Sequence, residues 1–273
     1  MFGFGKRKRV RITSFSEKDA RRFHDFLCDG VIAEHIGDFA ALREIHAELQ
    51  AVRPQECVLA TLDNPWQAVY TMFHTIGKHR LDDTRGHDLS ALGPECFEDG
   101  EHLGHLSTLA EFPIRLTNLQ ARAAELTLED ACGVLQWKTG AMDGQLDPIA
   151  VMSDPDAALR IANDREVHFQ FVPVATASDA LAALPNGYFM GSLDPMQSYA
   201  LARHLERRHA MALIGVGSRF FGYARSIALT NDEAHVLARD LVKLHENAPD
   251  DAEQRLAAAL VGKDWLLLRF TEV

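Results

Sequence analysis

Val167-His168-Phe169-Gln170-Phe171-Val172-Pro173-Val174 alternates apolar and polar side chains over its first five residues and reads as a half-buried strand. On its C-terminal side the pattern changes period. Thr176 to Leu184 reads as a short helix, and the loop Pro185-Asn186-Gly187-Tyr188-Phe189-Met190-Gly191-Ser192-Leu193 follows. Asp194-Pro195 then opens a helix to about Arg208, since Asp caps free amides and Pro tolerates the first helical position. Ala210 to Val216 and Phe220 to Leu229 read as strands joined by a turn at Gly217-Ser218. Thr230-Asn231-Asp232-Glu233 is a capping box for a helix to about Glu246. Asp251 to Val261 makes a last helix, ended by Gly262, before the strand Trp265 to Phe270, which is expected to be tied into a sheet.

Working back from Val167, Ser153-Asp154-Pro155-Asp156 opens a short helix, and Gly140, Gly144 and Pro148 mark a boundary. Thr127-Leu128-Glu129-Asp130 starts a helix expected to end near Gly140, and Leu116 to Glu125 reads as another. Asn64-Pro65 begins a helix whose Trp66, Val69, Tyr70, Phe73 and Ile76 define one apolar face. Strands are expected at Val10 to Phe15 and Cys57 to Leu62, and helices at Glu17 to Leu27 and Phe39 to Val52. The class is α+β: a mixed sheet packed by helices. The expected division is into a helix-rich unit, residues 1–148, with an acidic loop over 78–111, and a second unit, residues 149–273.

The composition, 47% apolar and 25% charged over 273 residues, is that of a globular chain with a substantial core. No stretch is apolar enough to span a membrane. The basic start, Lys6-Arg7-Lys8-Arg9, leads into Val10-Arg11-Ile12-Thr13, too short and charged for the core of a signal peptide. Cys28, Cys57, Cys96 and Cys132 lie far apart, which fits reduced thiols and a cytoplasmic location. A net charge of −11 argues against a nucleic-acid partner.

Leu184, Pro185 and Gly187, then Tyr188 and Pro195, the strand Leu213 to Gly217, the Ala234 to His245 helix and Trp265 follow one another in a recurring order. In that order, Val167 to Phe270 resembles an uncharacterised bacterial domain family. Its members run strand, helix, Leu-Pro-x-Gly turn with an aromatic loop, helix, strands, Ala-rich helix and Trp-containing strand. Tyr188-Phe189-Met190-Gly191 stands where that family carries Trp-Asn-x-Cys-Pro, so no role of that Asn or Cys transfers. The resemblance implies a fold and no reaction.

The most unusual segment runs from Asp82 to Glu111. Its eight acids (Asp82, Asp83, Asp88, Glu95, Glu98, Asp99, Glu101, Glu111) against Arg85 leave −7 of the chain's charge there. Such a run stays hydrated as a plain loop, docks a basic partner, or gathers a metal. For a metal, His87 with Asp88 and His102 with His105 offer mixed imidazole and carboxylate ligands, within a region that starts at His79. The loop residues Tyr188, Phe189 and Met190 supply contact area for a partner or fold inward over the sheet. Gly215-Val216-Gly217 lacks the following helix that a dinucleotide loop needs. His204 and His209, beside Arg203, Arg207 and Arg208 near a helix end, suit the helix dipole and require no function. There is no Gly-x-Ser-x-Gly elbow. The leading expectation is a non-catalytic bacterial protein that binds a basic partner, an immunity or accessory protein, without a cofactor. The competing one is a metal-dependent hydrolase using the His79 to His105 region. Oligomeric state is left open.

Overall fold

The strand that opens the reading lies inside the sheet, with helices over both of its faces. The computed structural model describes residues 10–16, 26–137, 147–161 and 165–271. The strands are β1 (Arg11–Ser14), β2 (Gly30–Ile36), β3 (Cys57–Thr61), β4 (Phe97–Glu98), β5 (Glu101–His102), β6 (Arg165–Val172), β7 (Ala212–Val216), β8 (Phe220–Ala224) and β9 (Trp265–Arg269). The helices are α1 (Phe39–Val52), α2 (Pro65–His79), α3 (Phe112–Arg122), α4 (Pro148–Ser153), α5 (Pro155–Leu159), α6 (Pro195–His209), α7 (Asn231–Lys243) and α8 (Ala252–Leu260). Seven strands form one mixed sheet in the order β1-β2-β6-β3-β7-β8-β9, while β4 and β5 make a separate hairpin.

One sheet therefore draws strands from both sides of residue 148. β6 pairs antiparallel with β2 (Gly30 opposite Gln170) and with β3 (Leu59 opposite Gln170). The β3–β7 contact is parallel, with Ala60 opposite Gly215. The expected boundary at Gly140 to Pro148 and the expected Glu17 to Leu27 helix fall mostly outside the described residues. Phe26 and Leu27, which are described, are not helical.

Register shows which helices cover which face. Val58 is opposite Phe171, and Arg53, just past α1, lies 4.0 Å over the Phe171 ring, so α1 covers that face. Cys57 is opposite Val172 and points the other way. Its thiol is pushed up to about 11 by burial, with the Glu206 charge of α6 and that of Asp179 adding to it. Cover on both faces explains the difference from the half-buried strand read in the sequence, with His168 packed edge-on against Phe15 and Phe26. His168 and Gln170, the polar positions of the alternation, are buried as completely as Val167 and Phe169.

The turn at Gly217-Ser218 joins antiparallel strands as expected. Asp63, just past β3, fastens it by accepting hydrogen bonds from Ser218 N at 2.7 Å and Arg219 N at 2.9 Å. A Cβ on Gly217 would come within 2.6 Å of Asp63 Oδ1, so only glycine fits. Caps are made where the sequence placed them: Asn64 accepts from Trp66 N, Asp194 from Gln197 N, and Thr230 with Glu233 closes a box on α7. The expected helix from Thr127 to Gly140 is corrected. Its capping box holds only a 3-10 turn, Leu128–Ala131. Gly133 then takes φ +70, and the chain runs extended to bridge Leu135 to His245. The next helix back begins at Phe112, four residues before the expected Leu116.

The Gln170 side chain is fully buried, and neither Oε1 nor Nε2 has a hydrogen-bond partner among the described residues. An orphaned buried amide costs about 1–3 kcal/mol. Gln170→Met, close in volume, is expected to raise the urea midpoint by a stability gain of that order. An unchanged or lower midpoint would show that the amide is satisfied.

Candidate docking surface

The acidic segment is pinned to the fold by α3. Arg115 is 2% exposed, and Asp82 meets it in a bidentate pair, Nε to Oδ1 at 2.6 Å and Nη2 to Oδ2 at 2.9 Å. One helical turn on, Asn118 donates to the carbonyls of Leu81 and Asp83, and its Oδ1 pairs with His87 Nε2 at 3.0 Å. At the other end of the segment, Glu111 is wholly buried. It accepts from Ser107 N, Thr108 N and Thr108 Oγ1, and its Oε1 lies 2.8 Å from His102 Nε2. Burial pushes the Glu111 carboxyl up, but these donors outweigh it and hold the group below its ordinary 4.5.

The eight acids thus divide. Asp82 and Glu111 are internal, and Asp83 is paired with Arg80 and Arg85, each at 2.8 Å. Asp88, Glu95, Glu98, Asp99 and Glu101 are exposed, and no ion pair reaches them among the described residues. Three of these crowd one hairpin tip. Asp99 and Gly100 both take positive φ, 52° and 84°, as a two-residue hairpin turn requires, and this sets Glu98 directly opposite Glu101. Like charges facing each other across a ladder destabilise it. The tip gains stability when a cation lies over it.

The metal candidates are not drawn together. His87 turns to Asn118, while Asp88 Oδ1 caps Ser90 N. His102 Nδ1 accepts from Gly104 N while its Nε2 faces Glu111. His105 lines a groove instead. That groove, about 600 Å³, runs between α2 and the acidic segment, lined by Phe73, Ile76, Arg80, Asp82, His105 and Leu106 among others.

α2 holds the feature least visible in the sequence. Its inward face is Ala68, Val69, Thr71, Met72, Thr75 and Ile76. The apolar face expected from spacing is therefore split: Val69 and Ile76 are buried, whereas Trp66, Tyr70 and Phe73 are 54%, 57% and 49% exposed. These three recur at helical spacing and form an aromatic ridge. The 186–192 loop extends it. Tyr188 lies 4.7 Å from the His74 ring, which in turn lies 4.5 Å from Tyr70. Met190 is 92% exposed, while Tyr188 and Phe189 are half-buried. Threonines and small side chains on the inward face were the available sign that the large aromatics lay elsewhere.

Comparisons with protein-family models, with curated proteins and with solved structures return no match.

Two outcomes follow from the internal carboxylates. Asp82→Asn leaves the Arg115 charge buried and unpaired, and is expected to cost about 3–5 kcal/mol in denaturant unfolding. A loss within experimental error would show that Arg115 does not depend on Asp82. For Glu111 the folded value is lowered, so its stabilisation is complete well above pH 4.5 and drains away as pH falls through the folded value. The stability gap between wild type and Glu111→Gln should therefore narrow below pH 4.5, and a gap that widens there contradicts the assignment.

Proposed function

We propose that this chain is a non-catalytic protein-binding protein whose docking surface joins the aromatic ridge of α2 to the acidic hairpin, and whose partner is basic. The observation that carries this reading is that the aromatic ridge of α2 borders a groove whose other wall belongs to the acidic segment. Phe73 belongs both to the exposed ridge and to the groove that the acidic segment closes. Trp66, Tyr70, Phe73 and Met190 leave large apolar side chains in water, an arrangement that marks interaction sites. The β4–β5 hairpin leads directly into Gly104, His105 and Leu106 on the groove wall.

A partner segment with Lys or Arg beside apolar side chains fits both features. Its cations neutralise the Glu98–Asp99–Glu101 tip, and its apolar groups cover the ridge. Aromatic anchors supply most of the affinity in such interfaces, while rim charges speed encounter and make it salt-dependent. An immunity or accessory protein that masks a basic protein has this chemistry.

Affinity capture with the full chain tests the reading. Wild type should retain a basic protein at low salt and release it progressively as ionic strength rises. Tyr70→Ala with Phe73→Ala should abolish retention at every salt concentration. Glu98→Lys with Glu101→Lys should remove the salt-sensitive part. Retention that is equal in wild type and both variants, or retention only of acidic proteins, contradicts it.

A further inference from the structure

Well away in sequence from the acidic segment, α6 and α7 bring three metal-ligating side chains to one point. His204 and His209 lie in the last turns of α6, and Asp240 lies on α7. Both imidazoles direct Nε2 at the same oxygen, Asp240 Oδ2, at 2.9 Å each. The three donor atoms lie within 4.8 Å of one another, the one such trio of His, Cys, Asp or Glu among the described residues. His209 and Asp240 are nearly buried, at 4% and 10% side-chain exposure, while His204 at 24% faces outward.

Around a tetrahedral zinc with bonds of about 2.0–2.1 Å, donor atoms sit about 3.3 Å apart. The two nitrogen–oxygen separations are about 0.4 Å short of that spacing, so the trio must spread only slightly to admit an ion. Two other groups face the carboxylate. Arg208 Nε is 3.3 Å from Oδ2, and Lys243 Nζ is 3.8 Å from Oδ1. Arg208 is more than half exposed and free to swing out, and Lys243 is also drawn to Glu129 Oε1 at 3.4 Å. These two cations already balance the carboxylate, so charge balance does not account for two imidazoles aimed at one oxygen.

We propose that His204, His209 and Asp240 form a site for one divalent, imidazole-preferring metal ion of the zinc class, with its remaining position open to solvent beside His204. Two imidazoles and one carboxylate with an open position are a donor set suited to such ions. On binding, each Nε2 gives up its hydrogen bond to Oδ2 and offers its lone pair to the ion. A neutral ring, whose Nε2 proton is donated to Oδ2 in the free protein, changes tautomer so that the proton sits on Nδ1, and a charged ring releases its Nε2 proton to solvent. The bound ion clasps the end of α6 to the last turn of α7.

The experiment is calorimetric titration of chelator-treated full-length protein with Zn(II) alone, with far-UV circular dichroism on every variant. Wild type should take up one equivalent. His204→Ala and Asp240→Asn should each weaken binding by more than about 100-fold, beyond the effect of losing an outer-shell group. Arg208→Ala should tighten it several-fold by removing a competing cation, a gain that a merely structural cluster would not produce. His235→Ala, outside the trio, should leave it unchanged. If Asp240→Asn fails to fold, the His204 and Arg208 variants decide, since both side chains are partly exposed. Failure of wild type to bind one equivalent, or wild-type affinity in His204→Ala, overturns the proposal.

Discussion

A guanidinium with 2% exposure fixes the acidic segment of this molecule. Arg115 is buried, and a buried charge requires an opposite charge held in fixed geometry. Asp82 supplies it, thirty-three residues away along the chain. Because that pair cannot be broken cheaply, the segment that begins at Asp82 cannot drift from α3. Asn118 clamps the next residues, and Glu111 with His102 closes the far end. The segment between is long and acidic, yet it is held at both ends by buried polar contacts. A fixed surface binds without the entropic cost of ordering a loose loop.

The same pinning decides what the carboxylates are free to do. Those nearest the anchors are consumed by the fold, and those at the hairpin tip face water with their like charges opposed. α2 stands beside the acidic segment, across the groove lined by His105 and Leu106, and its two faces differ. Its inner face is made of aliphatic side chains, Met72 and threonines, and its large aromatics lie on the outside. The groove between helix and segment is walled by Phe73 and Ile76 on the α2 side and by His105 and Leu106 on the side of the acidic segment. The trio on α6 and α7 is a separate matter, built by two other helices, and neither reading depends on the other.

Local signals in the sequence were legible where a few adjacent residues settle the outcome. Asn64-Pro65, Asp194-Pro195 and Thr230 to Glu233 start helices because caps act within one turn. The C-terminal strand was likewise placed, and it forms the sheet edge beside β8. What escaped was set by distant partners. Period-2 alternation in β6 cannot reveal that both faces are covered, so His168 and Gln170 looked solvent-facing. Helical spacing in α2 identifies Trp66, Tyr70 and Phe73 as neighbours without saying which flank of the stripe meets the core. The insertion of β6 between β2 and β3, the Asp82–Arg115 pair and the meeting of His204, His209 and Asp240 all join residues far apart in sequence. A capping box at Thr127 promised a helix, but Gly133 at φ +70 turned the chain out to reach His245.

Amide hydrogen exchange across residues 82–111 tests most directly whether this segment is a rigid platform. The amides of Cys96, Leu103 and Glu111 donate to Gly93, Cys96 and Thr108 carbonyls in the folded segment. They are expected to exchange slowly, with protection approaching that of the neighbouring α3 amides. Exchange at the rate of an unstructured peptide throughout 82–111 would contradict the account.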